Sequence, residues 1–317
     1  MPHFPLSRRP LLVVQICVAV TLLVLLWHWA DGPQAMAKLA GADPRWLAAA
    51  LAALTLQTIL SAIRWRLTAA QFGISLPLRE ALREYYLSQV VNQSLPGGMV
   101  GDAARAVRAR GQAGLLAAGQ SVVFERLAGQ IALFLAMSVA FLATVAAPGG
   151  FSWPSWLLAP VAALVLGGLA LPLVLAAAAR LPGRAGAGVR AGWRAFGTAI
   201  AAPRVLPWQA LLSVGTTACN LAAFACCAMA VGADLSLVAI VAIVPLILFT
   251  MLIPISVAGW GLREGTAAAL FPVAGASATQ GLAASIAFGL VFLVTVLPGV
   301  PFALISRRAG LAEPRDA

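Results

Sequence analysis

Two stretches interrupt the apolar sequence in the same way: LPGGMVGDAAR at residues 95–105 and IPISVAGWGLRE at residues 253–264. Each is an apolar run that reaches a proline, passes through glycines and ends with an acidic residue and an arginine close together. They lie about half of the 317 residues apart. Helices broken at matching positions of two halves are typical of a midplane binding site in a membrane transporter. The backbone groups freed at such breaks must face protein or a water-filled cavity.

The composition indicates a membrane protein. Hydrophobic residues make up 62% of the chain and charged residues 10%, and the mean hydropathy is +0.94. Soluble domains carry roughly a quarter charged residues. A net charge of +11 does not point to nucleic acid, because the basic residues sit between apolar runs, where they orient a membrane protein. We therefore predict one all-α polytopic membrane domain.

Apolar runs of about 20 residues, the length that spans a bilayer, define the expected helices. They occur at 11–30, 46–63, 121–147, 155–179, 207–231 and 281–305, and a shorter run occupies 237–255. We interpret the first run as an uncleaved helix, because its length exceeds the apolar core of most signal peptides. This gives about six to eight transmembrane helices, with two broken or re-entrant elements and a candidate inverted repeat. Cytoplasmic tails at 1–10 and 306–317 flank a transmembrane domain at 11–305.

The distribution of basic residues orients the helices. With the N-terminus inside, all of the 21 Lys and Arg residues except Lys38, Arg45 and Arg263 are cytoplasmic, as the positive-inside rule requires. We predict a multi-pass protein of the bacterial inner (cytoplasmic) membrane with both termini cytoplasmic. Residues 81–110 must then leave and return on the cytoplasmic side. Residues 237–278 must leave and return on the non-cytoplasmic side, either as two spans or as a re-entrant hairpin.

The first broken element carries polar side chains suited to an anion. Tyr85, Gln89 and Asn92 share one helical face. Asp102 can cap the following helix and pair with Arg105, three residues on. Helix amides and an arginine together bind phosphate oxygens well. The alternative is a structural turn held by the Asp–Arg pair.

Other charged residues admit two interpretations each. Glu125 and Arg126 begin a long apolar run, so they are either a functional pair or an interfacial pair in which Arg126 reaches the head groups. Arg64 and Arg66 flank Trp65 and are expected to anchor head groups, with a lipid-phosphate contact as the alternative.

In the second broken element, Gly259 and Gly261 would let the backbone approach a ligand. Arg263 would then hold a phosphate, beside Glu264.

These residues resemble a known family. The sequence is similar to the lysylphosphatidylglycerol synthase membrane-region (flippase-like) family in three places. These are Asn92 with the 95–105 stretch, Glu125-Arg126-Leu127, and Pro254 with residues 259–264. The resemblance covers residues 11–305. It implies a polytopic bacterial or archaeal membrane protein that moves or handles lipids or lipid-linked intermediates. The best-known members carry a soluble aminoacyltransferase domain after this region. This chain ends at Ala317, so we expect a stand-alone member without the synthase activity.

The leading functional hypothesis is translocation or exposure of an anionic or amphipathic lipid between leaflets. In it, Arg105, Arg126 and Arg263 contact head groups, and Asp102, Glu125 and Glu264 hold those arginines. Two alternatives remain: a lipid-modifying enzyme or glycosyltransferase with Asp102 or Glu125 as general base, and a non-catalytic scaffold. The candidate lipid-binding residues are Asn92, Pro96, Gly97, Gly98, Gly101, Asp102, Arg105, Glu125, Arg126, Gly259, Gly261, Arg263 and Glu264.

No catalytic residue, metal or cofactor is expected. The four cysteines lie inside apolar runs and the two histidines are far from any acid cluster. Membrane lipids are the expected partners, with lipid-biosynthesis enzymes as partners of a scaffold and no nucleic acid. The lipid, the direction and energy source of transport and the oligomeric state are left open.

The topology can be tested by cysteine accessibility in a background without the four native cysteines. Single cysteines within 35–41 and 149–153 should react with a membrane-impermeant maleimide in intact cells. Cysteines at residues 185 and 312 should react only after permeabilisation. Labelling of residue 185 or 312 from outside would contradict the orientation.

Overall fold

The computed structural model describes residues 17, 20–21, 24–94, 99–146, 151–253 and 259–302, and this part of the chain is helical without strands. We number the helices in chain order from the first with defined bounds. They are α1 (Gly32–Ala40), α2 (Pro44–Ala70), α3 (Leu78–Ser94), α4 (Val100–Ala146), α5 (Ser155–Ala178), α6 (Gly183–Phe196), α7 (Leu206–Ala230), α8 (Leu237–Phe249), α9 (Leu262–Leu270) and α10 (Ala278–Val296). Short 3-10 turns follow α8 and α9, and a π-helical turn follows α6.

Five helices in the described part are long and apolar enough to cross a membrane: α2, α4, α5, α7 and α10. The apolar segment Leu237–Leu252 is shorter. Only part of the first apolar run is described, with residues 24–29 helical. The prediction of an all-α polytopic membrane protein is confirmed. Helix α4 contains a kink at Gly114, where φ is 84°, and the sequence analysis did not predict this kink.

Contacts between α2, α7 and α10 define two ends of the bundle. The amide of Asp43, before α2, donates to the carbonyl of Ala230 at the end of α7, at 3.0 Å. At the other ends of these helices, the Gln209 amide donates to the Thr68 hydroxyl at 2.8 Å, so α2 and α7 are antiparallel. Gln280 at the start of α10 donates to the Gly232 carbonyl. We call the end with Thr68 and Gln209 the basic end and the other the opposite end.

Arginines accumulate at the basic end. Arg66 is exposed on the last turns of α2. The Phe124 ring stacks on Phe72, just after α2, and meets the edge of Phe196 at the end of α6. This contact brings the arginine-rich α6 to the same end, so the charge asymmetry of the sequence corresponds to one end of the bundle.

Helix α3 and the first segment of α4 form an antiparallel pair, which we call the first hairpin. At its base, the amide of Ser75 donates to the Gln112 side chain at 2.8 Å. Further along, the Ser88 hydroxyl donates to Asp102 at 3.0 Å. Residues 95–98, between α3 and α4 in the sequence, lie outside the described residues. The first hairpin therefore begins and ends at the basic end, although its entry into a membrane from the cytoplasmic side stays a prediction.

Helices α8 and α9 form a second hairpin at the opposite end. The Ser236 hydroxyl caps α8, a few residues after Gly232 at the end of α7. After α9, Ser277 caps α10, whose Gln280 returns to Gly232 at 2.6 Å. The residues between α8 and α9 include 254–258, which lie outside the described residues. The two hairpins thus extend into the bundle from opposite ends, the arrangement expected of inverted repeats.

A glycine allows the two helices of the first hairpin to approach each other. A Cβ placed on Gly101 would lie 2.0 Å from the carbonyl oxygen of Ser88. The Gly101 amide also donates to the Asn92 side chain at 2.8 Å, which satisfies one of the free amides at the start of α4. Asp102 lies in the first turn of α4. The capping bond to the Gly101 amide comes from Asn92 and not from Asp102, the residue predicted to cap this helix.

Replacing Gly101 with alanine should separate the hairpin helices. We expect Gly101→Ala to lower the folded yield and the midpoint of thermal unfolding, because the clash is with backbone. Gly111→Ala on the same segment is the matched control, since no atom lies near its added Cβ, and it should be neutral or stabilising by up to about 1 kcal/mol. Equal midpoints for the two variants in a thermal scan would contradict the close packing described here.

Candidate functional site

A cavity of about 300 Å³ lies between the ends of the two hairpins. The first hairpin contributes Asn92, Gln93 and Asp102 to its wall, and the second contributes Leu248 and Met251. Interrupted helices therefore meet at one site, as the two matching sequence breaks predict. Because one hairpin presents polar groups and the other apolar groups, the cavity is amphipathic.

Three further helices, α2, α7 and α10, and the second segment of α4 complete the wall of the cavity. Polar side chains come from α2, α4 and α7, and aromatic rings come from α10. These residues are Gln57, Arg64, Arg126, Gln130, Thr216, Thr217, Asn220, Phe288 and Phe292. Tyr85 and Gln89 also line the cavity, so the helical face predicted for Tyr85, Gln89 and Asn92 is confirmed.

Five charged side chains form an ionic cluster at this wall: Arg64, Arg105, Arg126, Asp102 and Glu125. One oxygen of Glu125 contacts Arg64 at 2.8 Å and the other contacts Arg105 at 2.8 Å. One oxygen of Asp102 contacts Arg105 at 3.0 Å and the other contacts Arg126. Every carboxylate oxygen of the cluster therefore has a guanidinium partner. Buried charges need such partners because each ion loses several kcal/mol of hydration.

Neutral donors complete the coordination of the two carboxylates. The Tyr85 hydroxyl donates to Glu125 at 3.3 Å. Ser88 and Asn92 donate to Asp102 at 3.0 and 2.9 Å. All three donors are on α3, so the ionic cluster fixes the first hairpin against the rest of the bundle.

Arg105 is enclosed by aromatic rings. Its side chain has no exposed surface, and its guanidinium carbon lies 4.6 Å from the ring centroids of both Trp65 and Tyr85. Its Nε and Nη1 atoms have no hydrogen-bond partner among the described residues. Faces of aromatic rings attract a cation without hydrogen bonds, so the rings stabilise the buried charge.

Four members of the cluster line the cavity: Arg64, Asp102, Glu125 and Arg126. The side chain of Arg126 is 35% exposed, whereas those of Arg64 and Arg105 are 5% and 0% exposed. Arg64, expected to be a head-group anchor, is placed inside the ionic cluster, while Arg66 is exposed on the surface of α2. Three arginines and two carboxylates leave the cluster with a net charge of +1.

The charged pair of the second broken element is buried away from the cavity. Arg263 donates to Glu264 at 3.1 Å and to Ser285 at 2.9 Å, and it lies over the rings of Trp260 and Phe288. Arg263 is 2% exposed and Glu264 is 0% exposed. Phe288 lines the cavity, so this pair packs against a residue of the cavity wall without lining the cavity itself.

Two glycines shape the turn before α9. Gly259 and Gly261 have φ values of 83° and 87°, in the region that favours glycine. The amide of Gly261 donates to the Glu264 carboxylate at 2.7 Å. These glycines therefore position the Arg263–Glu264 pair rather than lining the cavity.

The structure groups the predicted site residues in two places. Asn92, Asp102, Glu125 and Arg126 line the cavity, and Arg105 lies against them. The second group is the buried pair at α9 with its glycines. Pro96, Gly97 and Gly98 lie outside the described residues.

Several cavity residues were missed in the sequence. Gln57 on α2 and the residues Thr216, Thr217 and Asn220 on α7 are inside apolar runs, which we predicted only as membrane-spanning helices. Their signal is the spacing of polar residues within those runs: Thr216 and Asn220 are four positions apart and so share a helical face.

These features define a polytopic α-helical membrane protein in which a buried ionic cluster borders an amphipathic cavity. The chain belongs to the lysylphosphatidylglycerol synthase TM region family, whose model matches residues 12–299. The resemblance seen in the sequence is therefore confirmed. No curated protein matches the chain.

The buried pair at α9 can be tested by thermal unfolding. Arg263→Met leaves the Glu264 carboxylate buried without its cation, and we expect a loss of about 3–5 kcal/mol and a strongly lowered unfolding midpoint. The double variant Arg263→Met/Glu264→Gln removes that charge and should recover much of the loss. Arg108→Met, which breaks a pair with Glu84 whose arginine is 42% exposed, should cost at most about 1 kcal/mol. A double variant no more stable than Arg263→Met would contradict the pairing.

Proposed function

We propose that this protein binds the anionic head group of a membrane lipid in the cavity and transfers the lipid between leaflets. The observation that carries the proposal is the position of the ionic cluster, which has a net positive charge and forms a wall of a cavity between two opposed hairpins. Membership of the family supports a lipid-related role.

The charges of the cluster favour an anion over a cation. Both carboxylates are already in contact with arginines, so a cationic ligand would have to displace a guanidinium. Arg126, the most exposed arginine of the cluster, has a planar fork that can bind a phosphate through two parallel hydrogen bonds. In this arrangement Asp102 orients Arg126, and Arg105 and Glu125 act as positioning residues.

The other wall of the cavity suits the apolar part of a lipid. Leu248, Met251 and Leu252 come from the second hairpin, and Phe288 and Phe292 come from α10. A phosphate at Arg126 would leave the first carbons of the acyl chains beside these side chains. Each methylene group that leaves water contributes about 0.8 kcal/mol, so a lipid would bind more tightly than its free head group.

The membrane placement belongs to the same proposal. The arginine-rich basic end faces the cytoplasm of a bacterial inner membrane, and each hairpin is re-entrant from its own face. Rocking of one hairpin relative to the other would then open the cavity to each leaflet in turn, as in transporters built from inverted repeats.

The geometry does not favour the enzyme alternative. A general base needs a carboxylate oxygen within hydrogen-bond reach of the substrate proton, whereas each oxygen of Asp102 and Glu125 already accepts from an arginine. A scaffold would not need a charged cavity wall. A transport measurement separates these alternatives from the proposal.

Lipid transfer can be measured in proteoliposomes that contain only this protein and a fluorescent phosphatidylglycerol, with dithionite quenching of the outer leaflet. The wild type should make the inner-leaflet pool accessible. Arg126→Ala should reduce transfer about tenfold or more, because a charge-assisted hydrogen bond is lost. The variant should fold normally, since Asp102 keeps its contacts with Arg105, Ser88 and Asn92.

Arg110→Ala is the matched control for this experiment. Arg110 is exposed on the same helix, so its removal changes the net charge equally without touching the cavity, and transfer should match that of the wild type. No transfer by the folded wild-type protein, or equal transfer by Arg126→Ala, would overturn the proposal.

A further inference from the structure

Helix α6 is held to the bundle by very few side chains. Gly186 is the one buried residue among its 14, and residues 190–194 are all exposed. A helix of this length is marginal in water unless one of its faces packs against something else. The rest of the described protein gives α6 little of this packing.

The glycines of α6 weaken the helix further. Four of its 14 residues are glycine, and each glycine inside a helix lowers helix formation about fivefold relative to alanine. Gly188 and Gly192 gain no close packing in exchange, because a Cβ placed on either would meet no atom within 4 Å. The sequence of α6 therefore makes the helix dependent on a partner.

Helix α6 has two chemically different faces. Val189, Trp193 and Phe196 share one face, at intervals of three and four residues. Arg184 and Arg194 lie on the opposite side. Trp193 stacks on Phe196 with their ring centroids 5.7 Å apart and is still 47% exposed. A helix with arginines on one face and aromatic rings on the other is typical of helices that lie in the plane of a membrane surface.

The arginines around α6 have no acidic partner. The sequence contains no Asp or Glu between Arg126 and Asp234. Arg190 donates to the carbonyl of Ala179 at 2.6 Å, which fastens α6 to the end of α5. Four other arginines of this segment are exposed and form no ion pair with a described carboxylate: Arg180, Arg184, Arg194 and Arg204. We call these four the unpaired arginines.

Exposed tryptophans indicate that the partner is a membrane. Trp208, in the first turns of α7 at the basic end, is 60% exposed, and Trp193 is exposed on α6. Tryptophan concentrates at the boundary between a bilayer and water. An acidic protein would match the charge of the unpaired arginines but would not account for two tryptophans beside a spanning helix.

We propose that α6 is an interfacial helix that binds the surface of an anionic phospholipid leaflet, and that this contact stabilises its helical structure. The unpaired arginines contact lipid phosphates, and Trp193 lies at the same depth as Trp208. This surface is separate from the cavity, so the inference does not depend on the proposed function.

The bound helix would also support the ionic cluster. Phe196 at the end of α6 meets the ring of Phe124 edge-on, with the centroids 6.4 Å apart. Phe124 directly precedes Glu125 and stacks on Phe72. An ordered α6 therefore holds the segment of α4 that carries Glu125.

Hydrogen–deuterium exchange of residues 183–196 in the full-length chain tests the inference. The protein is placed in nanodiscs of phosphatidylcholine alone or of phosphatidylcholine mixed with an equal amount of phosphatidylglycerol. Exchange should be at least about tenfold slower with phosphatidylglycerol, since each arginine near an anionic surface strengthens the attraction about fivefold. High salt should reduce the difference, because exposed charges are screened. Equal exchange in the two membranes would overturn the inference.

A charge variant locates the binding surface. Arg184→Gln/Arg194→Gln should bring exchange with phosphatidylglycerol close to that in phosphatidylcholine. Arg66→Gln/Arg110→Gln is the matched control, because it removes two exposed positive charges from the same end of the bundle. It should leave the exchange of α6 unchanged. Loss of protection in both variants would mean that net charge, and not α6, determines the effect.

A glycine variant tests the dependence of the helix on its partner. Gly188→Ala/Gly192→Ala should slow exchange in phosphatidylcholine about tenfold or more, since alanine favours the helix and both positions have space for a Cβ. The difference between the two membranes should shrink accordingly. Unchanged exchange in phosphatidylcholine would contradict the claim that the glycines make α6 dependent on the membrane.

Two soluble anions distinguish a membrane from other sources of negative charge. Glycerophosphoglycerol and polyglutamate are each added to the protein in phosphatidylcholine nanodiscs, and neither should slow the exchange of α6 as phosphatidylglycerol does. Equal slowing by glycerophosphoglycerol would reduce the surface to a site for free phosphate. Slowing by polyglutamate but not by phosphatidylglycerol would assign it to an acidic protein. Either result would overturn the inference.

Discussion

The Glu125 carboxylate, in contact with Arg64 through one oxygen and Arg105 through the other, is the interaction on which the arrangement of this protein depends. Arg64 is on α2, and Arg105 and Glu125 are on the two segments of the kinked α4. One buried carboxylate therefore joins the first hairpin to the long helices. Removing it would leave two arginines buried without compensation, a cost of several kcal/mol for each charge.

The same interaction also determines where the net positive charge of the ionic cluster lies. Glu125 satisfies Arg64 and Arg105 deep in the protein, and Asp102 is shared between Arg105 and Arg126. The unbalanced positive charge thus appears at Arg126, the most exposed member of the cluster. Under the proposed function, a structural network and an anion site are consequently not alternatives, because the pairing that stabilises the fold also orients the arginine that faces the cavity.

The sequence predicted the fold more fully than it predicted the site. Length and hydropathy were sufficient for the spanning helices, and the Pro and Gly residues indicated where helices are broken. The pairing of Asp102 with Arg105 followed from their spacing. By contrast, Arg64 at the end of an apolar run is indistinguishable from an interfacial anchor, and its contact with Glu125 spans 61 positions of sequence. Contacts of that kind depend on how the helices pack, which periodicity does not encode.

The second broken element shows the same limit of prediction from sequence. A glycine-rich turn followed by an arginine is a reasonable pattern for a phosphate site, and nothing local distinguishes it from a buried pair. The structure encloses Arg263 with Glu264, Ser285 and Phe288, so it joins α9 to α10, and its contact with a lipid head group stays a prediction. Although the two halves have similar breaks, they contribute differently to the cavity: one provides charge and the other provides apolar surface.

The most direct test of this account is an experimental structure of the protein in nanodiscs that contain phosphatidylglycerol. The account predicts density for a lipid head group between the two hairpins, with a phosphate oxygen within hydrogen-bond distance of Arg126 and the acyl chains beside the apolar wall. A cavity without a head group in a structure that shows ordered lipids only on the outer surface of the helices would contradict it.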